Sequence, residues 1–161
     1  MYYHTMIDEV IKSVDYKPLK VSSSAFHEGG LIPAKYTCDG DNVNPPLDIT
    51  GFPAETKSLA IVLEDPDAPI RPWLHWLAWD IQIARHIKEA RIMEAEGRND
   101  FGEYNYLGPC PPTAVDLYYF RVFALDTFLN LPVDISKRDL QRNMNEHIIG
   151  FGETMGVYKR R

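Results

Sequence analysis

The chain has 161 residues, of which 45% are apolar and 12% aromatic, and it carries a net charge of −6. This length fits one domain with one core, and the apolar content excludes a disordered chain. The acidic balance excludes a nucleic-acid surface, which needs concentrated Lys and Arg; the basic run at 159–161 is interpreted as a solvated tail.

The first half of the chain predicts short elements separated by turns. Residues 6–14 have apolar side chains at helical spacing and predict a short helix or a frayed extension. Val21–Phe26 suits a strand, whereas 37–46 is dense in turn formers and predicts a loop. Leu47–Ile49 predicts a short strand. Leu59–Leu63 is apolar throughout, which is typical of a strand buried on both faces.

The second half predicts two long strands and a helix. Trp73–Trp79 holds all three tryptophans, and Leu117–Leu125 alternates between two faces. Ser136 is expected to cap a helix that runs to about Ile149 and stops at Gly150. The segment 85–96 predicts a second, shorter helix. Because strands outnumber helices, the pattern favours a mostly β fold, an antiparallel β-sandwich with a C-terminal helix and short peripheral helices.

Location and cysteine chemistry are less constrained. No stretch approaches the ~20 apolar residues of a membrane span. The N-terminal residues lack the basic and apolar regions of a signal peptide, so a cytoplasmic location is the default expectation. Residues 1–20 are interpreted as an extension of a single domain over 1–161. Cys38 and Cys110 are either two buried thiols or one bridge.

The strongest polar motif is Asp65-Pro66-Asp67-Ala68-Pro69, directly after the Leu59–Leu63 strand. Each proline pushes the preceding residue out of the α region, so the acids lie on a stiff loop. Stiffness lowers the entropic cost of presenting a polar group to a ligand. The alternative interpretation is an ordinary acidic surface turn.

His75 lies in the middle of the tryptophan-rich strand. Strand period places it on one face with Trp73, Leu77 and Trp79, and Leu74, Trp76 and Ala78 on the other. A buried imidazole needs a hydrogen-bond partner, and the nearest acids in sequence are Asp65 and Asp67. The sequence therefore predicts an Asp–His pair, either inside the core or lining a pocket.

A third motif is a loop rich in glycine and proline, Leu107-Gly108-Pro109-Cys110-Pro111-Pro112. Its residues have no catalytic side chains, and they predict a rigid loop that shapes the site. Its backbone N–H groups at Gly108 and Cys110 could hold an anion. The alternative interpretation is a rigid connection into the Leu117–Leu125 strand.

Taken in order, these motifs resemble the phosphatidylethanolamine-binding protein family, which includes Raf kinase inhibitor proteins and plant flowering-time regulators. The segments that carry the resemblance are Asp65–Pro69, His75-Trp76-Leu77, Gly108–Pro112, Tyr118 and Ala124-Leu125-Asp126. The bacterial and archaeal branch of the family has similar sequences at three further segments, Tyr36–Gly40, Asn44–Leu47 and Asn99–Gly102. The resemblance runs from about Phe26 to Tyr158.

The resemblance implies an antiparallel β-sandwich with a C-terminal helix and a pocket for phosphate-type anions, such as phospholipid head groups. It also implies a set of pocket residues, namely Asp65, Asp67, His75, Gly108, Cys110, Pro111 and Tyr118, with Tyr106 at the entrance of the loop. A homodimer is expected because members of the prokaryotic branch often dimerise.

The chain departs from the family at Asp116-Leu117-Tyr118, where the family usually has His-Arg-Tyr. Two donors are lost and one acid is gained. At an effective dielectric of about 20, a like-charge contact near 4 Å costs on the order of 4 kcal/mol, unless one acid is protonated. The pocket is therefore expected to bind phosphate weakly; a cationic ligand, a neutral polar ligand or no ligand are the alternatives.

These observations predict a small-ligand-binding domain that is not an enzyme and needs no cofactor. An inhibitor of a protein kinase or protease acting through surface loops, such as 37–46 and 85–105, is the alternative, by analogy of fold. An enzyme using Asp65 and His75 would need a nucleophile, and no nucleophile-elbow pattern is present. Nothing in the spacing of Asp65, Asp67, His75 and Asp116 fixes a metal site.

Overall fold

The computed structural model describes residues 15–112 and 115–160, so the helix predicted at 6–14 lies outside the described residues. Within them the chain forms nine strands, one 3-10 turn and one α-helix. The strands are β1 (Lys17–Pro18), β2 (Lys20–Ser22), β3 (Leu47–Thr50), β4 (Ser58–Asp65), β5 (Trp73–Ile81), β6 (His86–Ile87), β7 (Ala95–Glu96), β8 (Val115–Leu125) and β9 (Ile148–Lys159). The 3-10 turn is Ala34–Tyr36, and the helix, α1, is Lys137–Asn145.

The strands form two sheets. The larger sheet has the order β1-β9-β8-β4-β5-β7, and the smaller has the order β2-β3-β6. All pairings are antiparallel except that of β1 with β9. One apolar cluster fills the space between the sheets, and a second lies on the opposite face of the larger sheet, where Leu140 and Met144 of α1 pack. The predicted mostly β sandwich is therefore confirmed.

β4 is the central strand, and all of its residues are buried. It pairs with β5 on one side and with β8 on the other. Its odd-numbered apolar residues, Leu59, Ile61 and Leu63, face the core between the sheets, while Ala60 and Val62 face the helix. The continuous apolar run had predicted this two-sided burial.

β5 carries two extra residues relative to β4, and these change which faces its side chains occupy. Leu63 pairs with Trp76 but the next residue, Glu64, pairs with Leu74, so His75 is a bulge residue. A second irregularity lies near Asp80, whose φ is 53°. Trp76 and Ala78 consequently pack between the sheets, and Leu74, Leu77 and Trp79 pack under the helix. Simple alternation through β5 was therefore wrong.

The sequence also missed β9, which is the longest strand. β9 pairs with β8 along its whole length and begins at Ile148. Gly152 lies close to the Leu19 backbone and Gly156 close to the Ile32 side chain, and a β carbon at either position would clash. These glycines weaken the alternation of large side chains that identifies a strand.

The predicted helix begins where expected but ends early. The Ser136 hydroxyl accepts a hydrogen bond from the Asp139 N–H at 3.1 Å, as an N-cap does. The helix ends at Asn145, because Ile148 already pairs with Leu125 in the sheet. Extension to Ile149 was therefore wrong.

Two other predicted elements differ. The segment 85–96 is not helical: it contains β6, β7 and a left-handed Ala90 with φ 56°. Its buried side chains, Ile87 and Met93, are six residues apart, so no apolar stripe at helical spacing exists. The strand predicted at Val21–Phe26 ends at Ser22, because the Ser23 hydroxyl accepts the Ala25 N–H and turns the chain.

On the helix side of the larger sheet, Glu64 is completely buried with Arg121. Arg121 Nη1 donates to Glu64 Oε1 at 2.6 Å, and Arg121 Nε donates to Glu153 Oε2 at 3.0 Å. Lys137 Nζ lies 3.5 Å from Glu64 Oε2. Glu153 is partly exposed, with 38% of its side chain accessible, so one guanidinium links a buried carboxylate to an exposed one.

We predict that Glu64→Gln lowers the free energy of unfolding by about 3–5 kcal/mol, because it leaves the buried Arg121 charge undercompensated. Glu153→Gln is the matched control and should cost less than ~1 kcal/mol, since its ion pair is solvated. Urea denaturation of both variants measures the two losses. Equal losses would contradict this assignment.

Candidate functional site

A cleft of about 320 Å³ opens at the end of the larger sheet where β4 ends and β5 and β8 begin. These strand ends meet because β4 is antiparallel to both neighbours. The loop 66–72, the segment around Phe101 and the loop 107–112 complete its walls. The residues lining it are Asp65, Ala68, Pro69, Ile70, Arg71, Trp73, His75, Phe101, Cys110, Pro111, Pro112, Asp116 and Tyr118.

Asp65 is the last residue of β4, and it is only 3% exposed. Its Oδ1 accepts the Asp67 N–H at 3.0 Å, which orients the carboxyl group within the turn that Pro66 begins. Burial and the neighbouring negative charge of Asp116 raise the pKa of Asp65 to about 7, and a hydrogen bond between the two side chains adds to the increase. Near neutral pH, therefore, Asp65 carries a proton part of the time.

His75 lines the same cleft but does not pair with an aspartate. Its Nδ1 lies 2.9 Å from the Leu107 carbonyl oxygen and 3.1 Å from that of Gly108. Since carbonyl oxygens only accept, Nδ1 carries the proton, and Nε2 is left as an acceptor. Burial lowers the pKa of His75 to about 4, so the imidazole is neutral at pH 7. The predicted Asp–His pair is therefore wrong: the loop after residue 106 supplies the partners.

Tyr118 lies close to both the two acids and the imidazole. Its ring packs edge-on against His75, with centroids 5.3 Å apart. Burial raises the pKa of the Tyr118 hydroxyl, and the charges of Asp116 and Asp65 raise it further, although a hydrogen bond from the Cys110 backbone acts in the opposite direction. The phenol therefore stays protonated. We call Asp65, Asp116, His75 and Tyr118 the cleft floor.

The aromatic wall of the cleft depends on Asp100, which sequence reasoning did not assign to the site. Asp100 Oδ2 accepts the Leu74 N–H at 2.7 Å and a hydrogen bond from Arg71 Nη1 at 3.1 Å. This anchors the neighbouring Phe101 against the start of β5. The Phe101 ring lies 5.7 Å from Trp73 and 5.2 Å from His75, centroid to centroid. The Asn99–Gly102 motif was the available signal for this wall.

Three residues predicted for the pocket are not among those lining the cleft. Asp67 is exposed, and its N–H serves Asp65. The Gly108 N–H, predicted to be free for an anion, donates to Asn42 Oδ1 at 2.7 Å, and a β carbon at Gly108 would overlap the Tyr36 carbonyl. The Tyr106 hydroxyl donates to that same carbonyl at 2.8 Å. Asp67 and Gly108 thus act on the cleft indirectly, through hydrogen bonds to Asp65 and His75, and Tyr106 bonds to the backbone next to Gly108.

Cys38 and Cys110 form a disulfide, with Cα atoms 5.4 Å apart, so the interpretation as two thiols was wrong. Cys110 lines the cleft, and Cys38 belongs to the loop 37–46. The Cys38 N–H also donates to the Pro109 carbonyl at 3.1 Å. The bond therefore fixes the loop 107–112, whose carbonyls hold His75, to a second part of the chain.

Across residues 15–112 and 115–160, no three His, Cys, Asp or Glu side chains are arranged to hold a metal ion. In the same part of the chain, no helix has the length and apolar character needed to cross a membrane.

The fold and the cleft define a two-sheet β domain with an acidic cleft at one end of the larger sheet. The family model for phosphatidylethanolamine-binding protein matches residues 22–159, and the chain belongs to this family. A solved relative is the phosphatidylethanolamine-binding protein homologue CT736 from Chlamydia trachomatis. Its TM-score is 0.85 at 36% identity, covering 90% of this chain and 99% of that one. YbcL of E. coli, described as a member of the mammalian PEBP family, gives 0.79 at 29% identity, covering 89% and 99%.

Relatives named UPF0098 proteins occur in archaea and bacteria. One from Archaeoglobus fulgidus is 43% identical over 160 residues, which is 94% of this chain and 53% of the relative. The chain thus spans about half the length of that relative. PH1269 of Pyrococcus horikoshii is 46% identical over 154 residues, covering 89% of this chain and 77% of that protein. None of these names describes an enzyme.

The raised pKa of Asp65 predicts how stability depends on pH. Its folded value of about 7 lies above the ordinary 3.8, so between these values the folded chain keeps a proton that the unfolded chain has lost. The free energy of unfolding therefore falls as the pH rises toward 7 and then levels off. Asp65→Asn removes this titration. On going from about pH 5 to about pH 8, we therefore expect the free energy of unfolding of Asp65→Asn to rise by about 2–3 kcal/mol relative to that of wild type.

Urea denaturation at the two pH values measures this difference. Asp67→Asn is the matched control, because Asp67 is an exposed acid on the same turn. The assignment of the raised pKa to Asp65 is wrong if the free energy of unfolding of Asp65→Asn depends on pH in the same way as that of wild type and of Asp67→Asn.

The disulfide closes a loop between residues 72 apart in sequence. Reduction should lower the free energy of unfolding by about 4 kcal/mol, because the unfolded chain regains the conformations that the closed loop excluded. Denaturation with and without a reductant measures the loss. A Cys38→Ser, Cys110→Ser double variant should be insensitive to reductant; an unchanged wild-type midpoint would contradict the prediction.

Proposed function

We propose that this chain is a non-catalytic binding protein whose small polar ligand occupies the cleft. One observation carries the proposal: four segments that are distant in sequence meet around Asp65, a buried acid whose pKa is raised to about 7. A turn after β4, the bulge of β5, the disulfide-held loop 107–112 and the start of β8 all contribute side chains to the cleft.

The character of the cleft supports a ligand seat. Its walls are mostly apolar and aromatic, and a small number of polar groups converge at its floor, which is the usual composition of a small-molecule site. The floor is also rigid before any ligand arrives, because two carbonyls hold the His75 ring and Asp100 anchors the aromatic wall. Rigidity of this kind reduces the entropic cost of binding.

The same groups argue for binding rather than catalysis. Burial lowers the pKa of His75 to about 4, so its available Nε2 is a poor general base near neutral pH. Among the described residues that line the cleft, which exclude 113 and 114, there is no serine, threonine or free cysteine. The cleft thus offers acceptors and shape without a nucleophile supplied by a side chain of those types.

Two narrower expectations stay predictions. Inhibition of a kinase or protease through surface loops, and a homodimer, have no described contact that favours them. The cytoplasmic location must be weighed against the Cys38–Cys110 disulfide, since disulfides persist mainly in oxidising compartments and in the cytosol of hyperthermophiles.

Filling the cleft should weaken ligand binding. Ala68 lines the cleft, and Ala68→Trp should weaken binding at least about tenfold. Ala54→Trp is the matched control, because Ala54 is an exposed alanine in the turn before β4, at the opposite end of that strand.

Binding is read from NMR shifts of the Trp73 indole and of residues along the cleft. The panel contains phosphate and phosphoethanolamine as anionic probes, an alkylamine as a cation and a small alcohol as a neutral probe. The proposal is overturned if no member of the panel shifts the cleft resonances, or if Ala68→Trp binds as wild type does.

A further inference from the structure

The polar groups on the cleft floor are predominantly hydrogen-bond acceptors. Asp65 and Asp116 both line the cleft and present carboxyl oxygens. His75 has its Nδ1 proton committed to two carbonyls, so the nitrogen it has left to offer is the acceptor Nε2. A floor of this kind is complementary to a ligand group that donates several hydrogen bonds.

The positive charge near the cleft is already neutralised. Among the described residues that line it, Arg71 is the one permanently charged base. Its Nη1 donates to Asp100 Oδ2 at 3.1 Å, and its guanidinium lies 5.1 Å from the Trp73 ring. Arg71 is therefore held at the aromatic wall, where it balances Asp100. The two acids of the floor have no cation of their own among the contacts described.

The wall beside this acidic floor is apolar. Trp73 and Phe101 stand edge to face, Phe101 is 43% exposed, and Ile70 at the mouth is 84% exposed. Aromatic faces attract cations, and together with Ile70 they offer contact to a hydrocarbon segment leading out of the cleft. The ligand best matched to both surfaces has a cationic donor at one end and an apolar body.

We propose that the cleft binds primary amines carried on an apolar body. The ammonium group lies against Asp65 and Asp116, and the hydrocarbon lies along Trp73 and Phe101. An ammonium group supplies three donors and one positive charge, which match the acceptors and the charge of the floor. The inference rests on the proposed function of the cleft as the ligand seat, and it names the ligand class.

Proton binding competes with amine binding at this floor. Asp65 faces Asp116 and Tyr118 from β8, His75 from β5 and Asp67 from its own turn. His75 and Tyr118 are neutral, so Asp65 itself is the group that titrates near pH 7. Since a protonated Asp65 has lost the charge that attracts the ammonium, amine binding should weaken as the pH falls through about 7.

The test is calorimetric titration of the full chain with three probes of equal chain length: hexylamine, hexanol and hexyl phosphate. Hexylamine should bind most tightly at about pH 8, where the amine is still protonated. Its affinity should fall about thirtyfold at about pH 5.5, as expected for competition with a group of pKa about 7. Asp116→Asn should weaken hexylamine about tenfold at about pH 8 by removing one of two charges.

Asp48→Asn is the control for net charge, because Asp48 lies in the smaller sheet and pairs with His86, outside the cleft. It should leave hexylamine binding unchanged. The inference is overturned if hexanol or hexyl phosphate binds in the cleft as tightly as hexylamine, or if Asp116→Asn has no larger effect than Asp48→Asn. Failure of all three probes to bind would overturn the inference and also count against the cleft as a ligand seat, whereas binding of hexanol or hexyl phosphate alone would leave that proposal standing.

Discussion

The extra residue that β5 carries at His75 is the constraint on which the cleft depends. In a regular strand, His75 and Trp76 would point to opposite faces. The bulge turns both toward the side of the smaller sheet, so His75 reaches the cleft while Trp76 enters the core and packs against Tyr106. One inserted residue thus lets a single strand contribute to the cleft at its beginning and to an intact core immediately afterwards; bulges are common beside functional sites.

Adjacent residues at the end of β4 show two ways to bury a carboxyl group. Glu64 faces the helix side and forms ion pairs with Arg121 and Lys137. Asp65 faces the cleft, where its neighbour is another acid, Asp116, and its pKa rises until a proton replaces the missing cation. The first arrangement satisfies its charge within the fold. The second leaves the charge of Asp65 dependent on pH and on whatever enters the cleft, and this is a feature of functional rather than purely structural acids.

Elements whose side chains follow one period were predictable. β8 alternates as expected, with Phe120 and Val122 between the sheets and Phe123 under the helix, because it has no bulge before Leu125. β9 was missed because several of its positions are glycines, which are required by close packing against other segments and interrupt the alternation of large side chains. The cleft was predicted through Asp65, His75, Cys110, Pro111, Asp116 and Tyr118, which all line it. The partners of His75 were not, because they are carbonyls brought in by a loop 32 residues away.

Membership of the family and choice of ligand are separate questions for this chain. The solved relative CT736 is 36% identical with a TM-score of 0.85, so the two chains share the overall backbone fold. The charges that line the cleft, however, come from a few side chains, and a fold that is kept can carry a site that has changed. Asp116 lies on the same strand as Tyr118 and alters the cleft without touching the disulfide, the His75 carbonyl contacts or the Asp100 anchor. Because those supports do not involve Asp116, a substitution at position 116 can change the charge of the cleft while the shape of the cleft is retained.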